Sequence, residues 1–494
     1  MINKLFTNKR VLLLVTGIAV CFLILSRFIL LDTSARFVWD ESDDLARMSQ
    51  MYHRNPITLI GPMNANKTFV QSSLTYYMLM PGAALTNFHP MGLVYMTALY
   101  GCLLVILLAY ILKRFFGWRF PVAILFLTVL FPFVQTGRWA WNPHFIPLWQ
   151  TIALFIFLWN EKKKKIFPWF FVGLIFTLAF HNHWYAIFST AGLSLGLFFY
   201  LVPKKRIKEY VFYILGCIGA VMPLLIFDLL HPPGLFITRA LFFSPLSPQN
   251  GAFNIASIPV KLINFPIEFM MYFVQSRQIA IVFLVVLLVY IVWVLRQKTT
   301  TGFKKLLLLP ITTQIIGLTF IGGAVFDYYY LSAVVPFILF IAIPDKNKQL
   351  NIGRILIIVS LCILSLLPSW SEFRKDTWMT NIGRKMKIYQ IIKDNLPTDK
   401  KCNVFVPASD SGDAVGKIYR DLLIAREDIW LFSKEEYTNY MCIFIVSTAP
   451  ISKIQHDPAY ELDRIRKIVP KKTWNVAGES PWRVHYFEIE DIKK

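Results

Sequence analysis

About eleven apolar runs, each close to the roughly 17–25 residues a helix needs to cross a bilayer, fill this chain up to residue 370. They lie near 11–31, 91–112, 120–136, 143–160, 166–182, 184–202, 210–230, 279–297, 306–326, 328–344 and 353–369. In hydrocarbon every backbone polar group must be satisfied within the protein, so such a chain folds as a bundle of membrane helices. Composition agrees: 56% of residues are hydrophobic and only 16% are charged, where soluble domains carry about 25% charged residues. A cytosolic enzyme, a disordered scaffold and a small disulfide-framed secreted domain are thereby excluded. The first run lacks a small-residue cleavage site and reads as a retained anchor. Two further apolar stretches, 73–86 and 262–274, are short or interrupted and read as re-entrant or interfacial helices.

The formal net charge of +22 would suggest nucleic acid in a soluble chain. Here its placement gives another meaning. The N-terminus carries Lys4, Lys9 and Arg10, and every second connection is basic, as in Lys162 to Lys165, Lys204/Lys205/Arg206/Lys208 and Arg296/Lys298/Lys304/Lys305. The alternate connections hold few cations. Positive residues stay in the cytoplasm, so the expected topology is a multi-pass protein of the plasma membrane with its N-terminus cytoplasmic. The expected partners of the excess charge are anionic membrane lipids, with no nucleic acid.

That register leaves the C-terminus outside. From 371 to 494 the long apolar runs stop. Strand-like stretches at 403–407, 441–447 and 483–489 alternate with helical patterns around 413–426 and 459–467, which predicts a small α/β domain on the outer face. The expected organisation is a membrane module over 1–370, with a first outer loop at 32–90, followed by this extracytoplasmic domain. The segment Ser409 to Asp413 could cradle a ligand at a helix start, but a capped loop explains it more simply. Cys21, Cys102, Cys217 and Cys362 lie in apolar runs and read as packing. Cys402 and Cys442 could form a disulfide that nothing in the sequence requires.

The chemistry concentrates in the outer loops. Directly after the first run stands Trp39-Asp40-Glu41-Ser42-Asp43-Asp44. Asp43 and Asp44 fit a solvated first helical turn, where carboxylates suit the dipole. Asp40 and Glu41 sit at the membrane boundary, where a carboxylate is expensive and tends to be functional or paired. A partly desolvated carboxylate is also raised toward the range of a general base. Arg47, seven residues after Asp40, would share its helical face and could pair with it. Arg138, in a short loop of tryptophans, needs an anionic partner or snorkels to headgroups. Lys67 and Arg239 are further loop cations. His181 and His183, two residues apart, face different ways on a helix and fit zinc poorly. They suit substrate hydrogen bonding or packing, and no metal or other cofactor is expected. Asp228 and Asp327 are boundary acids that could touch substrate.

An Asp-Glu pair just after the first membrane helix resembles the signature of the glycosyltransferase C superfamily, nearest to the protein O-mannosyltransferases and lipid A aminoarabinose transferases. Other stretches are similar in order and side: Leu74-Thr75-Tyr76-Tyr77 to Pro81, Gly137-Arg138-Trp139-Ala140-Trp141-Asn142-Pro143, and Asp327-Tyr328-Tyr329-Tyr330 to Pro336. The aminoarabinose transferases usually have a basic residue just before the Tyr-Tyr segment; here Ser72 stands there, and Lys67 is the nearest loop cation. The resemblance implies a sugar carried on a polyprenyl phosphate and an acceptor hydroxyl on a glycan, lipid or protein, with inversion at the sugar. It implies Asp40 as base, with Glu41 orienting it or binding acceptor. Arg138, Lys67 and Arg239 would neutralise the donor phosphate, and His181, His183, Tyr76, Tyr77 and Asp327 would contact substrate. A transporter or flippase is the main alternative, but it would place charges near the midplane. A polysaccharide polymerase or ligase would lean on outer-loop arginines and need no Asp-Glu pair.

Overall fold

The protein is described by a computed structural model covering residues 8–54, 57–63, 70–236, 257–297, 301–321, 325–377, 379–407, 416–431, 440–456 and 460–489. It divides into two compact units. One comprises 1–29, 59–75 and 97–372; the other comprises 30–58, 76–96 and 373–494. The second unit thus holds the C-terminal part of the chain together with 30–58 and 76–96.

The first unit is mainly helical. Among the described residues, six helices are long and apolar enough to cross a membrane: Lys9–Phe28, Pro90–Phe116, Ala186–Lys204, Ile207–Leu230, Arg277–Arg296 and Lys348–Glu372. The other apolar runs form shorter or interrupted helices, such as Phe120–Val129, Pro168–Asn182 and Leu331–Ala342. Proline is one cause. The run at 120–136 breaks at Leu130 into Phe120–Val129 and Phe131–Thr136, because Pro132 has no N–H to continue the ladder.

The first helix shows how one of these helices is used. Its buried residues Ala19, Leu23, Ser26 and Arg27 make a single stripe, while Leu13, Leu14, Ile18 and Leu25 stay exposed. That is the pattern of a helix facing lipid on most sides. Elsewhere small residues bring helices together. Pro168–Asn182 and Ile207–Leu230 cross where Gly173 meets the Tyr213 backbone and Gly216 meets that of Phe170. A Cβ at either glycine would collide with the facing backbone, the close approach that small residues permit in membrane helices.

The second unit holds a four-stranded sheet. With β1 (Ile60–Met63) and β2 (Val70–Ser72) forming a hairpin in the first unit, its strands are β3 (Cys402–Phe405), β4 (Cys442–Ser447), β5 (Lys472–Asn475) and β6 (Arg483–Glu488), in the order β3-β4-β6-β5. β3 and β4 run parallel, so they need a crossover. The helix Lys417–Glu427 lies in that connection. β4 is buried throughout and its Ile443 and Ile445 join Phe405, Tyr440, Leu462 and Phe487 in the core. Cys402 and Cys442, direct register partners, are joined by a disulfide.

Candidate active site

The acidic motif opens the helix Trp39–His53. Glu41 is its third residue, and its carboxylate accepts the N–H of Val38 at 2.7 Å, closing the helix start. Glu41 is fully buried. The chain leading into this helix is held by the C-terminal segment: the Phe37 N–H donates to the Met379 carbonyl at 2.9 Å, and the Lys385 ammonium donates to the Phe37 carbonyl at 2.6 Å.

One face of the acidic helix, Ser42, Leu45, Ala46 and Ser49, is buried at the i, i+3, i+4, i+7 spacing of a packing stripe, and it lies against the helix Lys417–Glu427. The Ser42 hydroxyl donates to Asp421 at 2.6 Å and the Ser49 hydroxyl to the Ala425 carbonyl at 2.7 Å. Lys417 reaches both helices, at 2.9 Å from Asp43 and 2.7 Å from Asp421.

The four acids of the motif end in four environments. Asp40 is exposed, and no hydrogen bond to its carboxylate occurs among the described residues. Loss of surrounding water is nevertheless the largest influence on it and raises its pKa; Lys417 opposes that and Asp43 adds to it. For Asp43 burial also pushes upward, but Lys417 and Arg47 outweigh it and hold the carboxyl below its ordinary value. Arg47 thus pairs with Asp43, at 2.7 Å, and not with Asp40. Asp44 is not a solvated acid. It is buried and accepts the Tyr76 hydroxyl at 2.7 Å, and burial raises its pKa well above normal. Tyr77 is exposed and its hydroxyl is tied to the Thr58 backbone at 2.8 Å.

The remaining candidates lie in the first unit. Arg138 is buried, and its guanidinium donates to the carbonyls of Ser26 and Arg27, each at 3.3 Å, and Ile29 at 2.8 Å. A cation at this end of Lys9–Phe28 caps carbonyls that the helix leaves unpaired. His181 uses both ring nitrogens, Nδ1 with the Ser72 hydroxyl at 2.8 Å and Nε2 with the Ala220 carbonyl at 2.7 Å. A ring nitrogen facing a carbonyl must donate, so the neutral ring carries its proton on Nε2 and accepts from Ser72. Beside it, Asn182 binds Thr75 at 2.9 Å and Trp149 at 2.8 Å. His183 packs among the rings of Tyr185, Tyr328 and Tyr329. Asp327 is exposed; it accepts the Tyr328 N–H at 2.8 Å and a Gln135 amide at 3.4 Å. Asp228 accepts the N–H groups of Leu235 and Phe236 at 2.8 and 2.9 Å. Lys67, Arg239 and the Ser409–Asp413 segment lie outside the described residues.

Among the described residues, Asp40, Glu41, Tyr76 and Tyr77 fall in one unit and Arg138, His181, His183 and Asp327 in the other. Sequence reasoning missed Lys417 and Asp421, which stand four residues apart in the helical pattern around 413–426.

Comparison with solved structures identifies the architecture. The chain is similar to ArnT from Cupriavidus metallidurans bound to undecaprenyl phosphate, with a TM-score of 0.54 at 9% identity over 96% of this chain and 97% of that one. The apo state of the same enzyme gives 0.53 at 10% identity and the same coverage. No family model matches the sequence, and no curated protein does. At such identity the likeness is one of fold: this multi-pass membrane chain shares the fold of ArnT.

Proposed function

From the glycosyltransferase C fold of the chain, we propose that this protein is a membrane glycosyltransferase moving a sugar from a polyprenyl phosphate to an acceptor hydroxyl on the outer face of the membrane. The observation that carries this reading is Asp40. It is an exposed carboxylate at the head of a helix whose neighbours are all engaged: Glu41 on Val38, Asp43 on Lys417 and Arg47, Asp44 on Tyr76. Asp40 is thus left to receive a proton, and its raised pKa suits a base.

In the reaction, Asp40 takes the proton of the acceptor hydroxyl as its oxygen attacks the anomeric carbon. The bond from that carbon to the phosphate oxygen breaks, and polyprenyl phosphate leaves with the bonding electrons. Attack opposite the leaving group inverts the sugar. The departing phosphate needs cations. We assign that role to Lys67 and Arg239 ahead of Arg138, whose Nη1 and Nη2 groups donate to carbonyls. The alternation of basic and cation-poor connections in the sequence supports an outer C-terminal segment, and with that orientation Asp40 would stand at the surface where lipid-linked sugars are presented. The Cys402–Cys442 disulfide supports that side, since disulfides persist in oxidising compartments. ArnT's binding of undecaprenyl phosphate supports a polyprenyl carrier.

The test is reconstitution in proteoliposomes with a panel of polyprenyl-phosphate sugars and lipid, glycan and peptide acceptors. Release of polyprenyl phosphate with glycosylation of one acceptor is expected. Transbilayer movement of an unaltered lipid-linked sugar, without release, would establish the flippase alternative instead.

A further inference from the structure

The lysine that joins the acidic helix to the C-terminal segment binds Asp43, one helical turn after the proposed base, from a helix that the proposed reaction does not otherwise use. We propose that Lys417 is a positioning residue for sugar transfer: from the helix Lys417–Glu427 it fixes Asp43 and supplies the positive charge beside Asp40, so that the C-terminal segment is an electrostatic part of the active site. The proposal rests on the reading of Asp40 as general base.

The geometry is specific. Lys417 is two-coordinate to carboxylates, Asp43 at 2.9 Å and Asp421 at 2.7 Å, and it is only partly exposed. Asp421 is in turn fixed by the Ser42 hydroxyl at 2.6 Å. Ser42 lies between Glu41 and Asp43, so the lysine helix grips the acidic helix at two adjacent residues, two and three positions after Asp40. With both its anionic partners in place, Lys417 is committed to this cluster and is not offered as a phosphate ligand.

The charges around Asp40 make the sign of the effect clear. On its own helix stand Glu41, Asp43, Asp44 and Arg47. Arg47 is bound to Asp43. The segment carrying Tyr76 contributes a neutral hydroxyl, bound to Asp44. The helix Ile382–Asp394 contributes Lys385, whose ammonium is bound to the Phe37 and Thr380 carbonyls. The lysine helix contributes Lys417 and Asp421. Of these cations Lys417 is the one that acts on Asp40 most strongly, opposing the effect of burial and of Asp43. Without it, three carboxylates would crowd one turn, and Asp40 would hold its proton to higher pH.

The experiment compares wild type, Lys417→Met and Lys417→Arg in the full chain. In the first measurement kcat is followed against pH with the lipid-linked donor. Lys417→Met should lose about tenfold in kcat on the acid side and come within about twofold of wild type on the alkaline plateau, because a deprotonated Asp40 is what it lacks. Lys417→Arg, which keeps the charge, should restore the acid side. A uniform loss at every pH, with the profile unmoved, overturns the proposal and makes Lys417 a structural residue. The second measurement needs no turnover. A carboxyl-directed diazo reagent, which attacks the protonated acid, labels Asp40 as a function of pH, and mass spectrometry reads the extent. The labelling midpoint should rise in Lys417→Met and return in Lys417→Arg. An unmoved midpoint refutes the coupling even if the wild type transfers no sugar. A moved midpoint in a wild type that uses none of the donors leaves the coupling standing and removes the transferase reading.

Discussion

Asp40→Asn removes the proposed base and little else. Asp40 is exposed and takes part in no hydrogen bond among the described residues, so neutralising it leaves no buried group unpaired. Its structural contribution is the interaction of a carboxylate with the first turn of Trp39–His53, worth about 0.3–1 kcal/mol. A general base contributes about 10²–10⁴-fold to the rate, which corresponds to about 3–5 kcal/mol. The catalytic loss therefore exceeds the stability loss severalfold, and the two can be separated. Initial rates are measured on purified full-length protein with a saturating polyprenyl-phosphate sugar and its acceptor, beside thermal melting followed by tryptophan fluorescence. The variant should melt within a few degrees of wild type and lose at least 100-fold in kcat. Glu41→Gln keeps an acceptor for the Val38 N–H and should retain far more activity. An Asp40→Asn variant that transfers at near the wild-type rate refutes the reasoning, whatever its melting temperature.

Three further outcomes follow from the geometry. The wild-type rate should climb with pH through a midpoint above the ordinary carboxylate value, since Asp40 must be deprotonated to act and burial raises its pKa; a midpoint at or below about 3.9 would contradict this. Asp44 carries a raised pKa in the folded protein, so its contribution to stability is present below the ordinary carboxylate range and is lost as pH rises through the folded value. Asp44→Asn, which still accepts from Tyr76, should lose less melting temperature than wild type between pH 5 and 8. Arg138→Ala strips the carbonyls of Ser26, Arg27 and Ile29 of their donor and should destabilise the protein by about 1–3 kcal/mol for each carbonyl left buried and unsatisfied; a folded, fully stable variant with weakened donor affinity would instead restore Arg138 as a phosphate ligand.

The apolar runs were legible because hydropathy survives without context: a helix stands at each of them. Their lengths were less legible. Pro132 splits one run, and only the backbone shows where such a break falls. Charge was read through position alone, which suits exposed residues and fails for buried ones. Lys304 counts among the cytoplasmic cations in the sequence, yet it is fully buried, donating to Tyr290 and Ile343 and paired with Asp345 at 2.5 Å. Asp40 stood out by its place after the first run. Its neighbours did not sort themselves, because Asp43 and Asp44 differ by one residue yet meet different partners, one Lys417 and the other Tyr76. The partners of the motif come from 374 and 379 positions away, and no local pattern announces a contact of that range. β5 escaped for a different reason: an edge strand with three exposed residues has no apolar alternation to detect.

The measurement that bears most directly on the proposed chemistry is the anomeric configuration of the transferred sugar. Donor of defined configuration, made with ¹³C at the anomeric carbon, is turned over by the reconstituted protein, and the product linkage is read by NMR. A single displacement, with Asp40 activating the acceptor and polyprenyl phosphate leaving from the opposite side, predicts a fully inverted product. Retention would require a second displacement through another group and would contradict the assignment of Asp40 as the base.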